Sequence, residues 1–229
     1  MHKIYKVFLV FIIVIFPFSS NSHVEHYKDL NSIEFDIYRN NKFIGTHIFT
    51  FKELTDELHV KSLIKFQIKK LGVVLYKYYA EGTEIYKDNK LIKFNSKTKQ
   101  NKKEKFVNLL LNEEKNKFII KGSSYSGETD TDNIVGNWWN HKLLQAESQI
   151  SPISGSIKEQ VVTFIAKEKI ELYGKSYETE HFKLKSKNQS LPDDKKLNFD
   201  IWLDKNTGLI VKVKYSRMGE WEYRLKSFE

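Results

Sequence analysis

The chain has 229 residues, no cysteine, 38 Lys and Arg against 29 Asp and Glu, and 14% aromatic residues. The absence of cysteine excludes disulfides, so stability must come from a core and a hydrogen-bonded sheet. The positive balance is interleaved with acids, as in Lys167-Glu168-Lys169, which describes solvated faces and argues against a nucleic-acid partner.

Lys3 and Lys6 open the chain, an apolar run fills residues 7–16, and Pro17 followed by Ser20-Asn21-Ser22 ends it. The run is about half the roughly 20 residues that a membrane-spanning helix needs, so residues 1–22 read as a cleaved signal peptide. No Cys follows to carry a lipid. Residues 23–229 are expected to form a single exported, periplasmic, monomeric domain. Cleavage after Ser22 would expose the amine of His23 in His23-Val24-Glu25-His26, a copper-chelating pattern, but no second His pair supports it and no metal or cofactor is expected.

Two-residue alternation dominates the chain from residue 33 onward. In residues 57–69, Leu58, Val60, Ile64, Phe66 and Ile68 share one face, while Lys61, Lys65 and Lys69 share the other. The same period recurs at Ile33-Phe35-Ile37, Phe182-Leu184, Leu197-Phe199-Ile201-Leu203, Leu209-Val211-Val213-Tyr215 and Trp221-Tyr223-Leu225. Asn40-Asn41, Asp88-Asn89, Asn101-Lys102, Asn116, Gly174-Lys175, Asn206-Thr207-Gly208 and Met218-Gly219 supply the turns. Runs joined this tightly pair antiparallel. The expected fold is all-β: an antiparallel meander of about a dozen strands forming a strongly curved sheet, half-barrel or barrel. Residues 123–156 break the rhythm as an irregular insertion, with a short helix expected within residues 137–149.

His47 shares a strand face with Phe43, Phe49 and Phe51, which fits either a core histidine or a polar functional group. No Gly-x-Ser-x-Gly elbow accompanies it, and Glu81 and Glu84, three apart on one strand, point to opposite faces. No catalytic residue is assigned. Residues 71–85 are apolar or aromatic on both faces and need cover on both. One face could pack the core while the other meets Trp138-Trp139 or encloses an apolar ligand. Phe66, Tyr76, Tyr78, Trp138 and Trp139 are the expected ligand-contacting residues, with the Trp pair as a lid or an interfacial anchor.

Asn41-Lys42-Phe43-Ile44-Gly45-Thr46-His47-Ile48-Phe49 is similar to a Gly-Lys-x-Ile-Gly-x-His-x-Phe opening hairpin. With Lys70-Leu71-Gly72-Val73, Trp138-Trp139-Asn140, Ile201-Trp202-Leu203-Asp204 and Glu222-Tyr223-Arg224-Leu225, it resembles secreted proteobacterial proteins of a domain-of-unknown-function family of the DUF6134 type. Asn40-Asn41 replaces the usual Asp-Gly and tolerates the same positive φ. The resemblance implies export and an all-β fold, with a distant fold analogy to periplasmic lipoprotein and lipid carriers. The expected function is non-enzymatic binding or carriage of a lipid or other apolar ligand. Two alternatives stand beside it: an envelope protein whose lysine faces contact the membrane or anionic envelope polymers, and an enzyme built around His47.

Overall fold

The computed structural model describes Tyr27 and residues 29–229; the expected leader and His23-Val24-Glu25-His26 lie outside the described residues. Among these, fifteen strands form one sheet. They are β1 (Ser32–Arg39), β2 (Lys42–Leu54), β3 (Glu57–Lys70), β4 (Val73–Lys87), β5 (Lys90–Gln100), β6 (Lys103–Asn112), β7 (Lys117–Gly122), β8 (Ser126–Asp130), β9 (Ile134–Val135), β10 (Ser148–Ile150), β11 (Ile157–Leu172), β12 (Lys175–Ser186), β13 (Asn198–Asp204), β14 (Ile210–Ser216) and β15 (Glu220–Phe228). In place of a helix over 137–149 there is one turn of 3-10 helix, His141–Leu144, capped by the Asn140 side chain.

The sheet order runs from β8 down to β1, then from β15 down to β9, so sheet neighbours are consecutive in the chain everywhere except at the β1–β15 seam. All pairs are antiparallel apart from β9–β10, which is parallel. That exception to the expected meander is allowed because the twelve residues between those strands are long enough to return the chain to the same end.

Laid flat, fifteen strands at about 4.8 Å spacing would span roughly 67 Å. Yet the two edge strands, β8 and β9, are joined by residues 131–133 alone, a link that reaches at most about 14 Å. The sheet must therefore roll up. Its edges do not pair; the 151–156 loop bridges them, with Ser124 N–H donating to the Ser154 carbonyl (2.9 Å) and Ser96 Oγ to that of Pro152 (2.5 Å). Gly122 lies at this closure, where a Cβ would fall 2.5 Å from the Ser154 oxygen.

The turns expected from residue type carry positive φ at Asn40 and Asn41, Asp88 and Asn89, Asn101, Asn116, Gly174, Gly208, Met218 and Gly219. The alternating apolar residues face inward as one core, including Ile33, Phe35, Ile37, Phe49, Leu184, Ile201, Val213 and Leu225. Phe43 departs from the expected His47 face. A bulge between Gly45, paired with Ile37, and Phe43, paired with Tyr38, turns it outward to 57% exposure against the Tyr38 ring.

Register defines two rims. The β1–β2, β3–β4, β5–β6 and β14–β15 turns lie at one end, the upper rim. The β2–β3, β4–β5, β6–β7, β11–β12 and β13–β14 turns lie at the other, the lower rim.

Candidate functional site

The interior of the roll differs from end to end. Toward the lower rim it is filled by Trp139, wholly buried and crossed edge-to-face by Tyr27 (5.1 Å), Phe51 (5.6 Å) and Tyr86 (5.7 Å). Leu143, from the 3-10 turn, is also wholly buried. Glu84 is 2% exposed among these rings. Its carboxylate accepts from Asn137 Nδ2 (2.5 Å), Trp139 Nε1 (2.9 Å) and Tyr86 OH (2.6 Å). Burial raises the Glu84 pKa above its ordinary value, and the three donors oppose that shift without cancelling it.

Toward the upper rim the roll is hollow. A cavity of about 860 Å³ is lined by His47, Ile64, Tyr78, Trp138, Phe199, Tyr215 and Tyr223, and its mouth by Lys158, Asp193, Lys196, Arg217 and Met218. The rings interlock: Trp138 meets Phe199 at 5.1 Å and Tyr223 at 6.3 Å, and Tyr215 stacks on Trp221 at 5.7 Å. Burial holds the hydroxyls of Tyr78, Tyr215 and Tyr223 in their neutral form.

His47 is 2% exposed and lies 4.1 Å from the Phe49 ring. Its Nε2 and Ser62 Oγ share a 2.9 Å hydrogen bond, whereas Nδ1 is buried with no partner among the described residues. Burial lowers its pKa to about 3, so the ring is neutral at physiological pH and offers one spare donor or acceptor. The strand bearing His47 lies close against β3 because Gly45 has no side chain; a Cβ there would sit 2.0 Å from the Lys65 oxygen.

Of the residues expected at a ligand, Tyr78 and Trp138 line this cavity together with His47. Phe66 stands one layer behind, stacked on Tyr78 (4.7 Å, 6° between planes) and flanked by Tyr76 (6.0 Å). Trp139 is neither lid nor interfacial anchor: it is the plug of the lower half. Glu84, Phe199, Tyr215, Tyr223, Lys158 and Arg217 are not expected site residues from sequence. Inward alternation could have found Phe199, Tyr215 and Tyr223. Lys158 and Arg217 give no such signal.

A second histidine is held in a cluster of polar and aromatic partners away from the cavity. On the outer face, His181 stacks on Trp202 (4.3 Å) between Glu168 (2.8 Å) and Asp200 (3.1 Å). Its partners are two carboxylates and an indole, and Lys183 Nζ also bonds Asp200 (2.7 Å). Among the described residues no three His, Asp or Glu side chains converge to hold a metal ion.

The family model described as a domain of unknown function, DUF6134, matches residues 35–226. The chain belongs to the DUF6134 family. No curated protein matches it. Among solved structures, it is similar to a beta-barrel-like protein of domain of unknown function DUF1849 from Brucella abortus, with a TM-score of 0.58 and 9% identity. The match covers 87% of this chain and 97% of that one. At that identity the likeness speaks for the fold alone.

Proposed function

We propose that this DUF6134 protein is an exported, non-enzymatic carrier that holds a lipid or other amphipathic molecule in its upper cavity. The observation that carries the reading is the combination of an aromatic-walled space of about 860 Å³ with the unpaired Nδ1 of His47 at its wall. Sites for drug-sized apolar ligands span about 300–1,000 Å³ and use few polar contacts, so space and chemistry match that class. A buried imidazole nitrogen without a partner costs about 1–3 kcal/mol, which a hydroxyl or amide of a bound molecule would recover.

The same geometry weighs against hydrolysis. His47 and Ser62 resemble a nucleophile and base, but a base with a pKa of about 3 cannot take the serine proton effectively at neutral pH. No carboxylate orients Nδ1 either.

The test is native mass spectrometry of protein from a periplasmic fraction, prepared without detergent, beside a denatured control. An added mass that disappears on denaturation, and is diminished in Trp138→Ala, supports the carrier reading. Uniformly unliganded protein that also fails to take up an added fatty acid overturns it.

A further inference from the structure

The β3–β4 hairpin carries apolar residues on both faces, and its tip is covered on neither. Leu71 is 95% exposed, Val73 62%, Leu75 55% and Val74 37%. Past Phe66 the register of β3 with β2 ends, and past Tyr78 that of β4 with β5 ends. At the base of what remains, Asn101 bonds Lys77 through its side chain and backbone, and Ile68 and Tyr76 pack against the core. Residues 67–77 thus extend beyond the flanking strands as a two-stranded ribbon about 13 Å long, and 69–75 are exposed throughout.

The turn is unusual in its chemistry. Leu71 holds φ +49 beside Gly72 at φ +79, a conformation that Asn or Gly adopts with less strain. A leucine there is both strained and exposed to water, and neither is relieved within the chain. A flat partner surface would cover one face of a strand. Here Val73 and Val74, paired with Lys70 and Lys69, occupy opposite faces, with Leu75 at the bulge beside them, so the apolar character surrounds the tip, which suits a medium that also surrounds it.

Charge marks which medium. Lys69 and Lys70 precede the tip and Lys77 follows it, and an open groove at its base is bordered by Lys42, Lys65, Lys69, Lys77 and Lys99. Of these only Lys99 is ion-paired among the described residues, with Glu104 at 3.4 Å. At the upper rim the hairpin turns 39–42, 69–73, 100–103 and 216–220 hold seven cations and one acid, Glu220, and the turns 122–126 and 150–157 are uncharged. The lower-rim turns, by contrast, are balanced: Asp56, Glu57, Asp88, Glu113, Glu114 and Asp204 stand against Lys87, Lys90, Lys115, Lys117, Lys175 and Lys205. The long upper loop, 187–197, does carry Asp193 and Asp194, beside Lys187, Lys195 and Lys196. Two other exposed apolar residues, Phe43 (57%) and Met218 (89%), lie on the same rim.

We infer that the upper rim is a membrane-docking surface: the Leu71 tip enters the interfacial region of a bilayer while Lys42, Lys65, Lys69, Lys70 and Lys77 contact anionic head groups. Apolar insertion and lysine attraction are each weak alone and bind stably together. The inference stands whether or not the cavity holds a ligand.

The test is flotation of the protein, expressed from the full sequence, with vesicles of phosphatidylcholine with and without phosphatidylglycerol. The unaltered protein is expected to float with the anionic vesicles and to be released at about 0.5 M salt. Leu71→Asp lowers the bound fraction at least tenfold, and Lys69→Glu with Lys70→Glu at least twentyfold, at about fivefold per charge near such a surface. Thr55→Asp, on the opposite rim, leaves binding unchanged. Circular dichroism confirms that each variant is folded. Absence of vesicle binding, equal binding to neutral vesicles, or an equal loss in Thr55→Asp would each overturn the assignment.

Discussion

The lower and upper halves of the interior are built from the same strands, β2 to β4 and β13 to β15, and are finished in opposite ways. Below, a buried carboxylate meets three donors around a fully enclosed tryptophan. Above, a buried imidazole keeps an unpaired nitrogen beside empty space. The difference comes from the 123–156 insertion. It fills the lower half with Trp139 and Leu143 and ties Asn137 to Glu84, whereas in the upper half Trp138, Gln149, Pro152 and Ile153 line the wall without filling the space. One half is completed by the chain itself, and the other keeps an open cavity.

Acid should separate the halves most sharply. The folded-state pKa of His47 is depressed, so its contribution to stability is complete above pH 6.5 and is lost as the pH falls toward about 3. At about 1.4 kcal/mol per unit this amounts to about 4–5 kcal/mol. His47→Gln removes that dependence, and urea unfolding of the two proteins at a series of pH values would expose the divergence. Parallel curves would mean that the ring is hydrated in solution.

Trp139→Ala comes next, at about 4 kcal/mol, because neither Tyr27, Phe51 nor Tyr86 can swing in to fill an indole-sized void. Its chemical denaturation midpoint should drop far below that of Trp138→Ala. Comparable losses would erase the distinction between plug and wall.

For Glu84 the direction reverses. Its raised pKa means that stability is lost as the pH rises from its ordinary value, near 4.5, through the raised one. Glu84→Gln should flatten this slope and change stability at neutral pH by about 1 kcal/mol or less. Glu84→Ala, which strands the donors of Asn137 and Trp139, should cost about 3 kcal/mol. Thermal melts at pH 5 and pH 8 would register both. The smallest effect belongs to Trp138→Ala, about 1 kcal/mol in stability, with the loss appearing in ligand retention.

Much of this architecture is legible in the sequence, because turn chemistry and alternation are local. Asn40-Asn41, Asp88-Asn89 and Met218-Gly219 announce their turns by residue type. Thr55 and Leu71 do not, since neither is a residue that favours positive φ. Alternation places Glu84 opposite Glu81 but cannot say that it points inward to donors 53 and 55 residues away. The bulge that rotates Phe43 outward is a register event set by two strands at once, and no single strand records it. Trp138 and Trp139 look alike in sequence; the backbone sends one to the hollow half and one to the filled half.

The β1–β15 seam has a consequence for how the molecule assembles. Among the described residues, twelve of the fourteen strand pairings join consecutive antiparallel neighbours, and each can zip from its own turn with little loop-closure cost. The seam instead brings together segments nearly 200 residues apart, with Asn31 N–H donating to the Glu229 carbonyl at 2.5 Å. It is thus the pairing of highest contact order, expected to form after two independently zipped meanders exist. Because Asn31 and Glu229 already meet there, a circular permutant that links these two segments and opens at residues 131–133 is expected to keep the same sheet order.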